Sequence, residues 1–204
     1  MLNKYANLLT QYSLKLKPNQ KVLIKSTTLA EPLVKELYKA LLSLGCYVEV
    51  DLAFEDQDRL FYDYASSTQL KTPSVFYSKA IYEFDALIRI IAPHNLKSTA
   101  SVCSDKKKIL QEAHGPLRKK HLERSAKKEL QWTLCVYPTQ AAAQEANMSL
   151  SEYEDFIFKG CMLDCKDPIS AWQTLSKGQD DLVGYLNKAN TLRYVGDKTD
   201  LSFS

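Results

Sequence analysis

Ala86–Ala92 reads ALIRIIA, a short and nearly continuous apolar run closed by Pro93. Seven residues are too few for a core helix but suit a strand. Such content is what a parallel strand covered on both faces requires. Upstream, Val22–Ile24 forms a second short apolar run, and Tyr47–Leu52 alternates well enough for a third. Between them Glu31-Pro32 opens a helix, where proline in the first turn costs nothing. The helix buries Leu33, Leu37, Leu41 and Leu44 on one face and stops at Gly45. These pieces make one complete βαβ unit.

Before that unit, Leu2, Tyr5, Leu8, Leu9, Tyr12 and Leu16 recur at helical spacing and predict an amphipathic first helix. Glu55–Ala65 and Pro73–Glu83 predict two helices ahead of the ALIRIIA strand. Beyond it, Asp105 to about Leu130 is a long polar helical region that Gly115-Pro116 breaks in two. Trp132–Tyr137, stopped by Pro138, is the fourth strand. Strands alternating with helical crossovers predict an α/β fold: a mostly parallel sheet of about four strands, helices on both faces in three layers, and extra helices after the last core strand. A strand order of 2-1-3-4 is expected by analogy with common doubly wound sheets.

The segment Leu134–Cys161 reads LCVYPTQAAAQEANMSLSEYEDFIFKGC. Thr139 is positioned to cap an Ala-rich helix through Ala146, with Asn147 as a left-handed residue after it. Ser149 followed by Glu152 is a capping box opening the next helix, and Met148 is placed to staple to Tyr153. Further on, Asp167 as N-cap and Pro168 at N1 open a last helix with Ile169, Trp172, Leu175, Leu182 and Leu186 on one face. Leu192–Val195 and Leu201–Phe203 flank a Gly196-Asp197 turn as two strands.

Tyr137-Pro-Thr, Gln144-Glu-Ala, Met148-Ser and Glu152-Tyr-Glu-Asp-Phe together resemble the thermophilic metallo-aminopeptidase family of the aminopeptidase T and S type, which is leucyl aminopeptidase-like. Three further stretches resemble it in the same order: Lys4-Tyr5-Ala6 with Tyr12-Ser13-Leu14, then Glu31-Pro32-Leu33-Val34, and finally Thr199-Asp200-Leu201. The resemblance implies the N-terminal half of a metallopeptidase that removes N-terminal residues from peptides with two divalent ions (Zn, Co, Mn or Mg). Such ions polarise the scissile carbonyl and activate a bridging water. The family's ligands are two Glu, two His, a Tyr and an Asp, with a nearby Glu handling protons. All follow the segment matching Thr199-Asp200-Leu201, so none falls on a position of this chain. No catalytic, cofactor-binding or metal-ligating residue is expected here. Residues 1–190 are expected to form the α/β N-terminal domain and 191–204 the start of the strand region leading into the catalytic domain. A peptide substrate and a homodimer are implied for the parent. The chain is expected to be either a piece cut from that parent or a truncated product, and inactive on its own.

Composition agrees with a globular protein and excludes several classes. Charged residues at 25% and apolar at 45% are ordinary for such a chain. A net charge of +3 is too small by itself to imply nucleic acid or an acidic membrane. Six glycines leave little material for a phosphate-cradling loop. The five cysteines (46, 103, 135, 161 and 165) are scattered and lack a CxxC, as thiols in a reducing cytoplasm would be. No stretch approaches the roughly 18 apolar residues of a membrane span.

Several clusters could carry chemistry, and each has a structural alternative. Glu152, Glu154 and Asp155 are the densest acids, but acids in a first helical turn complement the helix dipole. His94 and Asn95 follow the third strand at its carboxyl end, where open sheets bind ligands; after Pro93 they also suit a turn. His114 and His121 are seven apart, with only Glu112 or Glu123 to complete a metal site. Cys161 and Cys165 are spaced i, i+4 and have no second pair nearby. Thr27-Thr28 before a helix could bind an anion or simply cap it. Residues 105–128 hold nine Lys or Arg against three acids, the alternative being a nucleic-acid-binding module. That segment has no aromatic residue for base stacking. A further alternative is a stand-alone non-catalytic scaffold descended from the peptidase.

Overall fold

The computed structural model describes all 204 residues. Four parallel strands form the main sheet: β1 (Lys21–Thr27), β2 (Tyr47–Ala53), β3 (Ala86–Ile91) and β4 (Gln131–Val136), in the order β2-β1-β3-β4. The expected 2-1-3-4 order is therefore the observed one. Leu23 lies opposite Leu87 and Lys25 opposite Arg89 across β1 and β3. Residues alternate between faces, so Val22, Ile24, Ala86 and Ile88 line the other side, all fully buried.

Helices cover both faces. On one side lie α1 (Leu2–Asn7) and α2 (Glu31–Ser43), packed on each other, with α2 also against β2. Leu33, Leu37 and Leu41 of α2 are completely buried. Gly45 ends this helix region at φ +79°, a left-handed conformation that costs glycine nothing. On the other side α5 (Val75–Glu83) packs against α7 (Gly115–Ala126). There Leu23 and Leu87 join Ala80, Ile81, Phe84 and Leu130 in one apolar cluster.

The first helix departs from a continuous α-helix. After Asn7 it widens into a π turn over Leu8–Ser13, which keeps Leu8, Leu9 and Thr10 buried. The buried Thr10 hydroxyl donates back to Ala6 O at 2.9 Å. Between β2 and β3 lie α3 (Gln57–Tyr64), then α4 (Ser67–Leu70), a short helix absent from the sequence reading, and then α5. A capping box, Ser66 with Gln69, opens α4. The basic region folds as α6 (Ser104–Ala113) and α7, broken at His114, with the Gly-Pro pair opening the second helix.

After β4 come α8 (Gln140–Glu145), capped by the Thr139 side chain, and α9 (Leu150–Gly160), opened by the Ser149–Glu152 capping box. Asn147 adopts φ +56°, the left-handed conformation expected there. Contacts divide the chain into two compact units, Met1–Asp164 and Cys165–Ser204. The second unit holds α10 (Pro168–Leu186), capped by Asp167, and an antiparallel hairpin of β5 (Leu192–Gly196) and β6 (Thr199–Phe203). Across the hairpin, Arg193 donates to both oxygens of Asp200 at 2.7 and 2.6 Å. No helix is long and apolar enough to cross a membrane.

Candidate functional site: the carboxyl edge of the sheet

In the order β2-β1-β3-β4 the chain leaves β1 for β2 on one side and then crosses back to β3 on the other. The β1/β3 junction is the switch point, and open α/β sheets form ligand crevices at the carboxyl ends of the strands there. Pairing between β1 and β3 stops at Lys25–Arg89, although both strands continue. Side chains replace the ladder beyond that point. The Ser26 hydroxyl donates to Ile90 O at 3.0 Å, and the Thr27 hydroxyl to Ala92 O at 2.5 Å. The ends of these strands border a cleft of about 320 Å³, closed on the β2 side by Phe54 and Gln57 and on the β3 side by His94.

His94 and Thr28 meet at the mouth, with Nε2 and Oγ1 3.2 Å apart. Asn95 is occupied in a turn: its side-chain oxygen accepts from Lys97 N at 2.8 Å. Thr27 and Thr28 thus use their hydroxyls on the protein itself, and neither caps the following helix through its side chain. Asp56 borders the cleft at φ +59°, a conformation tolerated by aspartate better than by most residues.

A row of charged side chains crosses the sheet at this level. Asp51, Lys25 and Arg89 sit in register on β2, β1 and β3. Asp51 and Lys25 form an ion pair. The Lys25 ammonium also lies 5.4 Å from the centre of the Tyr77 ring, within cation–π range. The strand that reads as apolar on both faces therefore carries an exposed arginine toward its carboxyl end. The sequence signal was present in both strands. Each has a charged residue two positions after a leucine: Arg89 interrupts the apolar run of β3, and Lys25 closes the apolar run Val22–Ile24 of β1.

The other sequence candidates resolve individually. The Glu152 carboxylate accepts from Ser149 N at 2.8 Å and from the Ser149 hydroxyl at 2.7 Å, and these bonds hold its pKa below the usual carboxylate range. Asp155 pairs with Lys159 at 3.3 Å. Cys161 meets the Tyr5 hydroxyl at 3.7 Å, and that hydroxyl donates to Val136 O at 3.3 Å. Burial pushes the neighbouring Cys135 thiol up to about 12 and raises Tyr5 as well, the opposite of what a nucleophile needs. None of the five cysteines forms a disulfide.

His114 and His121 do face one cavity, but in cationic company. Its other walls include Lys25, Arg89 and Arg118 and no carboxylate. Nowhere do three or more His, Cys, Asp or Glu side chains converge as a metal centre requires, so the residues present do not fit a two-metal site. Within the basic stretch, Lys106 donates to Tyr62 O and Arg118 to Gln111 O. Arg124 is buried, and Lys120 lies over Tyr82. Each of these four cations has a contact within the protein.

Comparison with known proteins supplies what the geometry alone does not. Among solved structures, wild-type AmpT from Thermus thermophilus superposes with a TM-score of 0.79 at 19% identity. The alignment covers 98% of this chain and 52% of AmpT, so the chain spans about half the length of that protein. A CurK enoyl reductase aligns over 76% of this chain and 57% of its own, with 11% identity and a TM-score of 0.28, and carries no argument about fold. No curated protein matches. The match to thermophilic metalloprotease (M29) sequences runs from residue 1 to residue 204, and the chain belongs to that family.

Proposed function

We propose that this chain is the N-terminal, non-catalytic domain of a two-metal aminopeptidase, a hydrolase that removes N-terminal residues from peptides. The observation that carries this reading is the coverage: family similarity extends over all 204 residues, while the fold matches 52% of AmpT. The side chains here do not converge on a metal, which supports placing the ions and their ligands in the remaining half of the parent. In this reading residues 1–190 are the α/β domain and 191–204 lead toward the catalytic half. The domain walls the substrate cavity, restricts it to small peptides and contributes to a homodimer in the cytoplasm.

The test is direct. The purified chain, supplied with Co, Zn or Mn, is expected not to hydrolyse leucyl-p-nitroanilide. Saturable, chelator-sensitive turnover by the pure chain would overturn the reading. Reading the genomic frame past Ser204 separates a domain of a longer enzyme from a free-standing scaffold. In-frame His and Glu ligands mean the former, and a stop codon the latter. Binding to single-stranded RNA or duplex DNA is expected to be lost at physiological salt, because the basic segment offers charge but no aromatic residue on which a base could stack.

A further inference from the structure

On the face shared by β1 and β3, packing runs from Leu23 and Leu87 to Lys25 and Arg89, and there it opens into a cavity of about 320 Å³. Its roof comes from three helical segments. Ser74 and Tyr77 belong to the start of α5, His114 to the α6–α7 junction, and Arg118 and His121 to α7. Arg118 and His114 are one turn apart, as are Arg118 and His121, so the three line one side of the helical layer.

The charge of this cavity is not balanced from within. Lys25 is compensated by Asp51. The Arg89 side chain makes no ion pair and no hydrogen bond, and its charge acts on the nearby Tyr77 phenol. Arg118 gives one N–H to Gln111 O at 3.1 Å and has no acidic partner. Two guanidinium groups, one on the sheet and one on the helical layer, thus border the same space uncompensated. His121 lines the cavity with its ring set edge-on to Trp132, centroids 5.8 Å apart, while its Nε2 is sealed from solvent. His114 Nδ1 lies 2.8 Å from Leu110 O, which makes it the donating nitrogen and leaves Nε2 available.

We propose that this cavity binds a small phosphate-bearing molecule, with Arg89 and Arg118 supplying the charge and His114 Nε2 with the Ser74 and Tyr77 hydroxyls supplying further hydrogen bonds. A dianionic phosphate matches two guanidinium forks, whereas a single carboxylate satisfies one. The volume suits a small molecule rather than a polymer lying along a groove. The site is distinct from the cleft that His94 borders, although Lys25 and Arg89 stand between the two. The proposal does not depend on peptidase activity in a parent enzyme.

The chain has three histidines, which provide position-specific reporters. Pyrophosphate is titrated into the 204-residue chain at constant ionic strength, with binding followed by calorimetry and by the imidazole NMR signals. Saturable binding is expected, with the His114 and His121 signals moving together and His94 staying in place. Arg89→Gln and Arg118→Gln should each weaken binding about tenfold or more, the loss of one charge-assisted pair. Lys177→Gln, on exposed α10, should leave it unchanged. Circular dichroism of each variant confirms folding, and Arg118→Gln, on an exposed helix position, keeps the test valid if Arg89→Gln unfolds. The proposal is overturned if pyrophosphate does not saturate, if all three histidines or only His94 respond, if folded Arg118→Gln binds as wild type does, or if acetate binds as tightly as pyrophosphate.

Discussion

Ser149 and Glu152 hold one another at the start of α9: the carboxylate accepts from the serine amide and hydroxyl, and the serine oxygen accepts from Glu152 N at 3.2 Å. Ser149→Ala should cost about 1 kcal/mol in urea unfolding, the usual value for a lost N-cap. Glu152→Ala should cost less, and the double variant less than the sum of the two, because each residue orders the other. The pH dependence follows from the lowered Glu152 pKa. A carboxylate depressed on folding contributes stability above its unfolded pKa, about 4.3, and loses it as pH falls through the folded value. The gap between wild type and Glu152→Ala should therefore close below about pH 4.

Arg124 is the buried cation of the helical layer, donating to Ile81 O at 2.9 Å and Glu129 O at 3.0 Å. Its planar fork reaches two carbonyls from different elements, which a lysine ammonium cannot reproduce. Both Arg124→Lys and Arg124→Met should destabilise the chain by about 2 kcal/mol or more, since Ile81 O is left without its partner. A chemical-denaturation midpoint close to wild type for Arg124→Lys would refute the two-carbonyl role.

Gly45 combines positive φ with a close neighbour. A Cβ there would meet Pro18 Cβ at 3.4 Å. Gly45→Ala should lower stability by about 1 kcal/mol through the left-handed strain, with a small addition from that contact. Gly160→Ala, where added carbon meets nothing within 4 Å, is the matched control and should be neutral or slightly stabilising.

Thiol reactivity should separate the cysteines by burial. Cys135, with its pKa pushed up to about 12, should resist Ellman's reagent at pH 8 until the protein unfolds, whereas exposed Cys103 should react at once. Mass mapping of the labelled peptides reads this directly. Early labelling at Cys135 would mean that β4 opens locally.

The strands, their order and the caps were legible because each rests on a short-range rule. ALIRIIA reads as a strand from its own residues, and Ser149 with Glu152 needs only a spacing of three. The π turn over Leu8–Ser13 was not legible, since over six residues the same leucines fit either helical period. The charged row was the larger omission. Lys25 and Arg89 are far apart in sequence and become neighbours only through the β1–β3 register. The cavity beside them also needs His114 and His121 to stay on one side of the chain across Gly115-Pro116, which periodicity cannot decide through a helix break. What sequence could have flagged is Arg89 itself, placed inside an apolar run that local packing would fill with valine or isoleucine.

The order β2-β1-β3-β4 also has a consequence during synthesis. β1 emerges from the ribosome first and finds β2 after one helix, yet its other edge stays bare until β3 has been made. For that interval an apolar, half-paired ribbon is presented to the crowded cell, the kind of surface on which nascent chains adhere to one another. The Ser26 and Thr27 hydroxyls cannot find Ile90 and Ala92 before then. The polar seam at the top of the sheet is thus a late-closing clasp, which can form only after residues 54–91 have followed β2 off the ribosome.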